Sequence, residues 1–266
     1  MQFLSERRLD DTVLEREFAL SDVSGYLWTP ASVSSPEHAP LILLGHPGRL
    51  GPMYPRLVAR ARAAIGLGFG AATIELPGTG ARSGSGPIEQ GRAALQQTIK
   101  AGARPTEEII DSFILPLADQ AVPEWRAVVD ALFELPEFGG PVGYSGGVIA
   151  IGTRLAIVEP RVTAAGLFAG SYIPRTILEE ARQVTIPLHV LLQWDDEGND
   201  RQRALELFDA FGSKEKTLQA NLGGHTGVPQ FAGDDAARFF ARHLQTADRR
   251  LRSPSSTAAE GHQTPR

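Results

Sequence analysis

Apolar runs of strand length alternate with amphipathic stretches of helix length along most of the chain. Short continuous apolar runs are typical of strands that are buried on both faces of a parallel sheet. Such runs occupy residues 39–44, 69–77, 162–170 and 186–194. Helical patterns occupy residues 55–65, 148–157, 200–211 and 232–244. The alternation predicts an α/β fold with a doubly wound, mostly parallel sheet of about eight strands and helices on both faces.

The two ends of the chain differ from this alternation. Residues 11–20 and 25–30 have the pattern of an antiparallel pair of strands that precedes the first buried run. A length of 266 residues fits one large domain, and we assign residues 1–246 to it. Residues 247–266 are rich in Ser, Pro, Thr and Arg, a composition that favours a disordered tail.

Residues 82–121 are longer than a simple connection between two strands requires. They contain an amphipathic helix that starts after Thr106 and is expected to break at Pro116, with a new helix from Pro123. One interpretation is a helical lid over the carboxyl ends of the strands, with Phe113 as a wall of a substrate pocket. The other interpretation is that the same apolar face packs in the core.

A Gly-x-Ser-x-Gly motif lies where a strand pattern changes to a helical one. The strand pattern reaches Gly143-Tyr144-Ser145, and the helical pattern begins at Val148. In this context the serine is expected on a sharp, strained turn that holds its hydroxyl above the sheet. The N–H of Gly146 is then directed at an oxygen that becomes negative beside Ser145. Because such a motif also arises by chance, its weight depends on suitable partners elsewhere in the chain.

The loop at residues 45–49 follows the first buried run and is glycine-rich. Sheets of this class bind their ligands at the carboxyl ends of the strands. We assign the N–H of Gly48 as the second oxyanion donor, because Pro47 has no N–H. Arg49 is a candidate partner for a substrate carboxylate, and the alternative is an ordinary surface arginine.

Two later strand ends carry an acid and a histidine. The buried run 186–194 leads directly into three acids that include Asp196 and Glu197. Uncompensated charge beside a buried strand is costly, so we favour a functional role for this group. His225 follows two glycines at the end of the last strand pattern. We choose Asp196 as the acid that pairs with His225, with Glu197 as the alternative.

Composition excludes several functions. The sequence has no cysteine, which rules out disulfides, thiolate metal sites and a cysteine nucleophile. A net charge of −5 gives no reason to expect a nucleic-acid partner. No apolar run has the length of a signal peptide core or a membrane span, so we expect a cytoplasmic protein. The glycine-rich runs 66–70 and 78–84 miss the dinucleotide fingerprint, and we expect no cofactor and no metal ion.

Taken in chain order, Ser145, Asp196 and His225 follow the order nucleophile, acid, histidine that is found in α/β-hydrolases. On this basis residues 10–245 resemble the α/β-hydrolase superfamily. The segments that match its landmarks are residues 45–48, 76–80, 143–147, 193–197 and 223–225. The short spacing from Ser145 to the acid looks most like the dienelactone-hydrolase-like serine esterases, although dienelactone hydrolases proper use a cysteine nucleophile.

The resemblance implies a serine hydrolase that cleaves a carboxylic ester, or a related acyl bond, of a small molecule through an acyl-enzyme intermediate. The candidate pocket residues are Arg49, Tyr144, Trp194 and Phe113. Two alternatives stay open: an acyltransferase with the same triad, and a non-catalytic small-molecule-binding protein on the same fold. A homodimer is likewise an open alternative to a monomer.

Overall fold

The computed structural model describes residues 1–31, 38–82, 84 and 86–245. Nine strands in this part of the chain form one sheet in the order β1-β2-β3-β5-β4-β6-β7-β8-β9. The strands are β1 (Gln2–Arg8), β2 (Val13–Leu20), β3 (Val23–Pro30), β4 (Ala39–Gly45), β5 (Gly70–Ile74), β6 (Phe138–Gly146), β7 (Val162–Phe168), β8 (Leu188–Gln193) and β9 (Lys216–Asn221). The helices are α1 (Leu50–Gly66), α2 (Gly86–Lys100), α3 (Glu107–Phe133), α4 (Ile149–Val158), α5 (Arg175–Glu180), α6 (Arg201–Ala210) and α7 (Gln230–Leu244).

The strand pairing confirms the predicted doubly wound, mostly parallel sheet. β4 pairs in parallel with β5 and β6, and the parallel ladder continues through β7 and β8 to β9. β2 and β3 form the predicted antiparallel pair, and β3 joins the sheet by antiparallel pairing with β5. β1 was not predicted: all seven of its residues are exposed, so its sequence carries no apolar alternation.

Two apolar cores lie on opposite faces of the sheet, as the alternation along β4 shows. Leu41 and Leu43 belong to the larger core, which also contains buried residues of α3, α4, α5 and α6. Ile42 and Leu44 point the other way, into the core beneath α1 and α7. Both faces of the central strands are therefore covered, which explains their continuous apolar sequences.

The region 82–121 differs from its prediction in one respect. The helix is not interrupted at Pro116, nor does a new one begin at Pro123; α3 is a single helix of 27 residues that contains both prolines. Its buried residues, Ile114 and Trp125 among them, join the larger core, and this packing holds the helix together across the missing N–H donors. The first turns of α3 line a cavity described below. A lid over this cavity stays a prediction.

The described ranges bear on the predicted C-terminal tail and on the search for a membrane-spanning helix. The predicted disordered tail, residues 247–266, lies outside the described residues. Within those residues, no helix combines the length and the apolar character needed to cross a membrane.

Candidate active site

The turn after β6 is made by two glycines and not by the serine. Gly146 and Gly147 have φ values of +74° and +76°, in the left-handed region that favours glycine. Ser145 still belongs to β6, where it is paired with Leu44 of β4 and Gly166 of β7. The expectation of a strained backbone at Ser145 is therefore wrong, because the adjacent glycines absorb the change of direction.

Arg60 of α1 contacts the side chain of Ser145. Its Nη2 donates a hydrogen bond to Ser145 Oγ over 3.0 Å and also to the Ser145 carbonyl oxygen, while Nη1 donates to the Gly45 carbonyl oxygen over 2.9 Å. Burial lowers the pKa of Arg60 to about 10. The sequence does not single out Arg60, because Arg56, Arg60 and Arg62 look alike in the helical pattern.

Asp196 and His225 form a hydrogen-bonded pair at the carboxyl ends of β8 and β9. His225 Nδ1 lies 2.7 Å from Asp196 Oδ2. The Asp196 side chain is only 3% exposed, whereas the His225 side chain is 51% exposed. The N–H of Gly198 donates to Asp196 Oδ1 over 3.0 Å, which fixes the carboxylate. Glu197, the alternative acid, is exposed. The structure thus brings Asp196 to His225.

Backbone contacts join the loops that carry this pair. The N–H of Asp195 donates to the Gly223 carbonyl oxygen over 3.2 Å, and the N–H of Gly223 donates to Asp195 Oδ2 over 3.1 Å. Gln193 Nε2 donates to the Gly224 carbonyl oxygen over 3.1 Å. The position of His225 is therefore set by the acidic loop after β8, which sequence alone did not indicate.

Strand alternation directs Ser145 and Phe168, the ring that contacts His225, to the same face of the sheet. A Cβ on Gly143 would contact Phe240 of α7 at 2.9 Å, and Ser145, two residues on, shares that face. Phe168 is the last residue of the neighbouring strand β7 and belongs to the face that packs against α7. Its ring centroid is 5.4 Å from that of His225. Within the described residues, however, Ser145 Oγ is hydrogen-bonded to Arg60 and no hydrogen bond joins it to His225.

The loop between β4 and α1 lies beside the glycine turn, because Gly45 is paired with Gly146. His46 is buried, and its Nε2 donates to the Ile74 carbonyl oxygen over 2.8 Å. Burial lowers the pKa of His46, so the ring is neutral and fixes the loop against β5. At Gly48 no atom lies within 4 Å of the place a Cβ would take, so this loop is open where the second oxyanion donor is predicted.

A buried carboxylate caps the helix that follows this loop. Glu75, just after β5, accepts hydrogen bonds from the N–H of Leu50 at 3.1 and 3.3 Å and from the Thr79 hydroxyl. Leu50 is the first residue of α1, so the negative charge lies at the positive end of the helix dipole. The local sequence of α1 does not reveal this cap, because Glu75 lies 25 residues away from Leu50 in the chain.

Two adjoining cavities open near the histidine. One, of about 620 Å³, is lined by Gly170, Tyr172, Asp195, Asp196, Glu197, Gly198, Gly224 and His225. The other, of about 310 Å³, shares Tyr172 with it and reaches the first turns of α3 at Glu107, Ile110 and Asp111. Its wall also includes Ser171, whose Oγ accepts a hydrogen bond from the N–H of Ile149 over 3.2 Å. Neither Tyr172 nor Ser171 was singled out from the sequence.

The four residues predicted to form the pocket do not line these cavities. Tyr144 is buried, edge-to-face with Trp125 of α3, because the strand directs it into the larger core. Phe113 is partly buried with Arg92 over its ring, and Trp194 is stacked under Arg201 at 4.3 Å. Arg49 is exposed at the start of α1. Among the described residues, no group of three or more acidic or histidine side chains is arranged to hold a metal ion.

No protein-family model and no curated protein matches the chain, but solved structures resemble it. A cold-adapted esterase from an Arctic intertidal metagenomic library, in a PEG-bound complex, is 27% identical, with a TM-score of 0.70 over 92% of this chain and 100% of that chain. Its native form is 25% identical, with a TM-score of 0.66 over the same shares of the two chains. Acetyl xylan esterase from Paenibacillus sp. R4 is 14% identical, with a TM-score of 0.65 over 91% of this chain and 88% of that chain.

The strand order of the sheet and the similar solved structures indicate the same fold. The esterase from the Arctic library and the acetyl xylan esterase each resemble this chain over nearly its whole described length, and the landmark loops lie at the carboxyl ends of the parallel strands. The chain has the α/β-hydrolase fold.

Proposed function

We propose that this protein is a hydrolase that cleaves a carboxylic ester of a small molecule, with Ser145 as nucleophile, His225 as base and Asp196 as the acid that orients it. The observation that carries the proposal is the buried Asp196 carboxylate held 2.7 Å from His225 Nδ1. An acid in this position selects the imidazole tautomer with Nε2 free to accept a proton. The esterase from the Arctic library, 27% identical to this chain, supports the same reaction class.

In the proposed reaction Ser145 Oγ attacks the ester carbonyl carbon while its proton passes to His225 Nε2. The protonated histidine then gives that proton to the leaving alcohol, and water releases the acid from the acyl-enzyme by the same steps. The N–H groups of Gly146 and Gly48 are assigned to the negative oxygen, and a donor of this kind contributes about 3–4 kcal/mol.

The mechanism requires His225 to approach Ser145 when substrate binds. Catalytic hydrogen bonds are often long or poorly aligned without substrate and tighten in the complex. The His225 side chain is 51% exposed, so its ring has room to move while hydrogen bonds hold the backbone of Gly223 and Gly224 in place. Assignment to the dienelactone-hydrolase-like group is part of this proposal, and it rests on the spacing from Ser145 to Asp196.

A fluorophosphonate probe tests the proposal, with the adduct located by mass spectrometry. We expect the adduct on Ser145, its loss in Ser145→Ala, and much slower labelling in His225→Ala. Ser171→Ala is the matched control, because Ser171 is the serine in the wall of the described cavities and its Oγ accepts a hydrogen bond from the N–H of Ile149, the first residue of α4. An adduct on Ser171 would move the nucleophile to that residue, and a folded protein without any adduct would favour the binding-protein alternative. Transfer of the acyl group to added alcohol would identify an acyltransferase.

A further inference from the structure

Arg60 is a half-buried cation, and within the described part of the chain no carboxylate forms an ion pair with it. Its guanidinium has three hydrogen-bond acceptors, two backbone carbonyl oxygens and Ser145 Oγ, and all three are uncharged. Arg82, Arg154 and Arg161, which have buried or half-buried side chains, form ion pairs with acids, whereas half-buried Arg92 donates to the carbonyl oxygens of Gly78 and Pro77. A charge that is partly removed from water without an acid beside it is destabilising, so a cation retained here calls for a reason.

The geometry of this contact favours a role in the chemistry. Ser145 Oγ accepts a hydrogen bond from Arg60, so the serine proton is free to be donated elsewhere. The same guanidinium nitrogen is bound to the Ser145 carbonyl oxygen, which fixes its position relative to the serine. A cation at 3.0 Å in a half-buried site interacts favourably with any negative charge that forms on this oxygen.

We propose that Arg60 is a catalytic residue that stabilises the negative charge developing on Ser145 Oγ as the hydroxyl loses its proton. This inference rests on the proposed function, in which Ser145 is the nucleophile. The O–H bond of Ser145 breaks, its proton goes to His225 Nε2, and a new bond forms from Oγ to the carbonyl carbon. Arg60 neither gains nor loses a proton in this step; it acts by its charge.

The test is the rate at which the fluorophosphonate labels Ser145, a reaction in which Oγ bonds to phosphorus and fluoride leaves. Arg60→Gln keeps N–H donors but removes the charge, and Arg60→Met fills the space with an apolar chain. We expect either variant to label about tenfold or more slowly, since an adjacent opposite charge shifts an ionisation by one unit or more. Arg60→Lys is expected to restore part of the rate, because it keeps the charge and loses the planar fork.

Arg62→Gln is the matched control. Arg62 lies on the same helix, its side chain is 49% exposed and its partner is Asp10, between β1 and β2. We expect wild-type labelling from this variant. Thermal melting of every variant distinguishes a protein that does not fold from a folded protein that labels slowly. If Arg60→Gln does not fold, Arg60→Met is measured in its place.

A second readout separates charge stabilisation from a purely structural role. In a His225→Ala background the serine proton must be taken by hydroxide, so labelling rises with pH. We expect Arg60→Gln in that background to raise the pH at which labelling reaches a given rate by about one unit or more. Equal rates and an unchanged rise in folded Arg60 variants would overturn the inference. A wild-type protein that carries no adduct on Ser145 would instead overturn the proposed nucleophile.

Discussion

Asp196 is the single residue on which the proposed base depends. Its buried carboxylate accepts from Gly198 and contacts His225 Nδ1, so the change Asp196→Asn keeps the shape and removes the charge. The amide stabilises the wrong tautomer of the histidine. We expect the esterase kcat to fall by roughly 10³–10⁴-fold with little change in melting temperature.

Glu197→Gln is the control for this prediction, because Glu197 is adjacent, acidic and exposed. Steady-state kinetics on a chromogenic ester measures both variants. Full activity in Asp196→Asn together with a large loss in Glu197→Gln would transfer the acid role to Glu197.

Chain order and strand ends were sufficient to select Asp196 and His225 as neighbours, since parallel strands bring their carboxyl ends to one edge. They were not sufficient for Arg60. Its contact with Ser145 depends on the exact rotation of α1 over β6, and 85 residues separate the two in the chain. Tyr144 was misplaced for a related reason: the alternation along β6 directs it away from the face of Ser145 and into the larger core.

Among the helices, the packing of α2 on α3 depends on Gly91. A Cβ at this position would lie 2.4 Å from the Ser112 carbonyl oxygen. That oxygen is the one left without a helical partner by Pro116, so the two helices approach closely at this point. We expect Gly91→Ala to lower the free energy of unfolding by about 1–3 kcal/mol, measured by chemical denaturation.

Gly66→Ala at the end of α1 is the matched substitution, because no atom lies within 4 Å of its Cβ position. This change is expected to be neutral or slightly stabilising. If the two variants unfold at the same denaturant concentration, the close contact at Gly91 has no energetic weight.

The Glu75 carboxylate at the start of α1 is expected to stabilise the fold. Glu75→Gln leaves an acceptor near the N–H of Leu50 but removes the charge at the helix start. We expect a loss of about 1 kcal/mol in the free energy of unfolding. Glu179→Gln, at an exposed position of α5, is the comparison and should change little. Equal stability of the two variants would contradict the capping role.

The elements themselves were largely predictable, because burial on both faces leaves continuous apolar runs in the sequence. The boundaries of α1 were not: the helix begins at Leu50 rather than Pro55 because Glu75 caps its first N–H from a distant strand end. The continuity of α3 through Pro116 was missed because tertiary packing on the sheet outweighs the local cost of proline.

The stability of the whole molecule should depend on two histidines. Burial lowers the pKa of His46 and of His189 below the usual 6.5. Below pH about 6.5 the unfolded chain therefore binds more protons at these positions than the folded chain does. The free energy of unfolding is expected to fall as pH decreases from neutral, until the folded histidines also become protonated.

Denaturant titrations at pH 8 and pH 5 check this dependence. We expect His46→Gln and His189→Gln each to lose less stability between the two pH values than the wild type does, and the double variant to lose still less. A wild-type loss that both single variants reproduce in full would exclude these histidines as its source.

The two glycines where β6 ends have a consequence for how this sequence can diverge. Gly146 and Gly147 are partly accessible to solvent, a location where substitutions are usually accepted. Yet their positive φ values penalise every other residue, and a Cβ on Gly147 would also lie 2.8 Å from the backbone of Gly45. In a library of all single substitutions, both positions should therefore be as intolerant as the core, and relatives that preserve this turn should keep both glycines while the exposed positions around them vary.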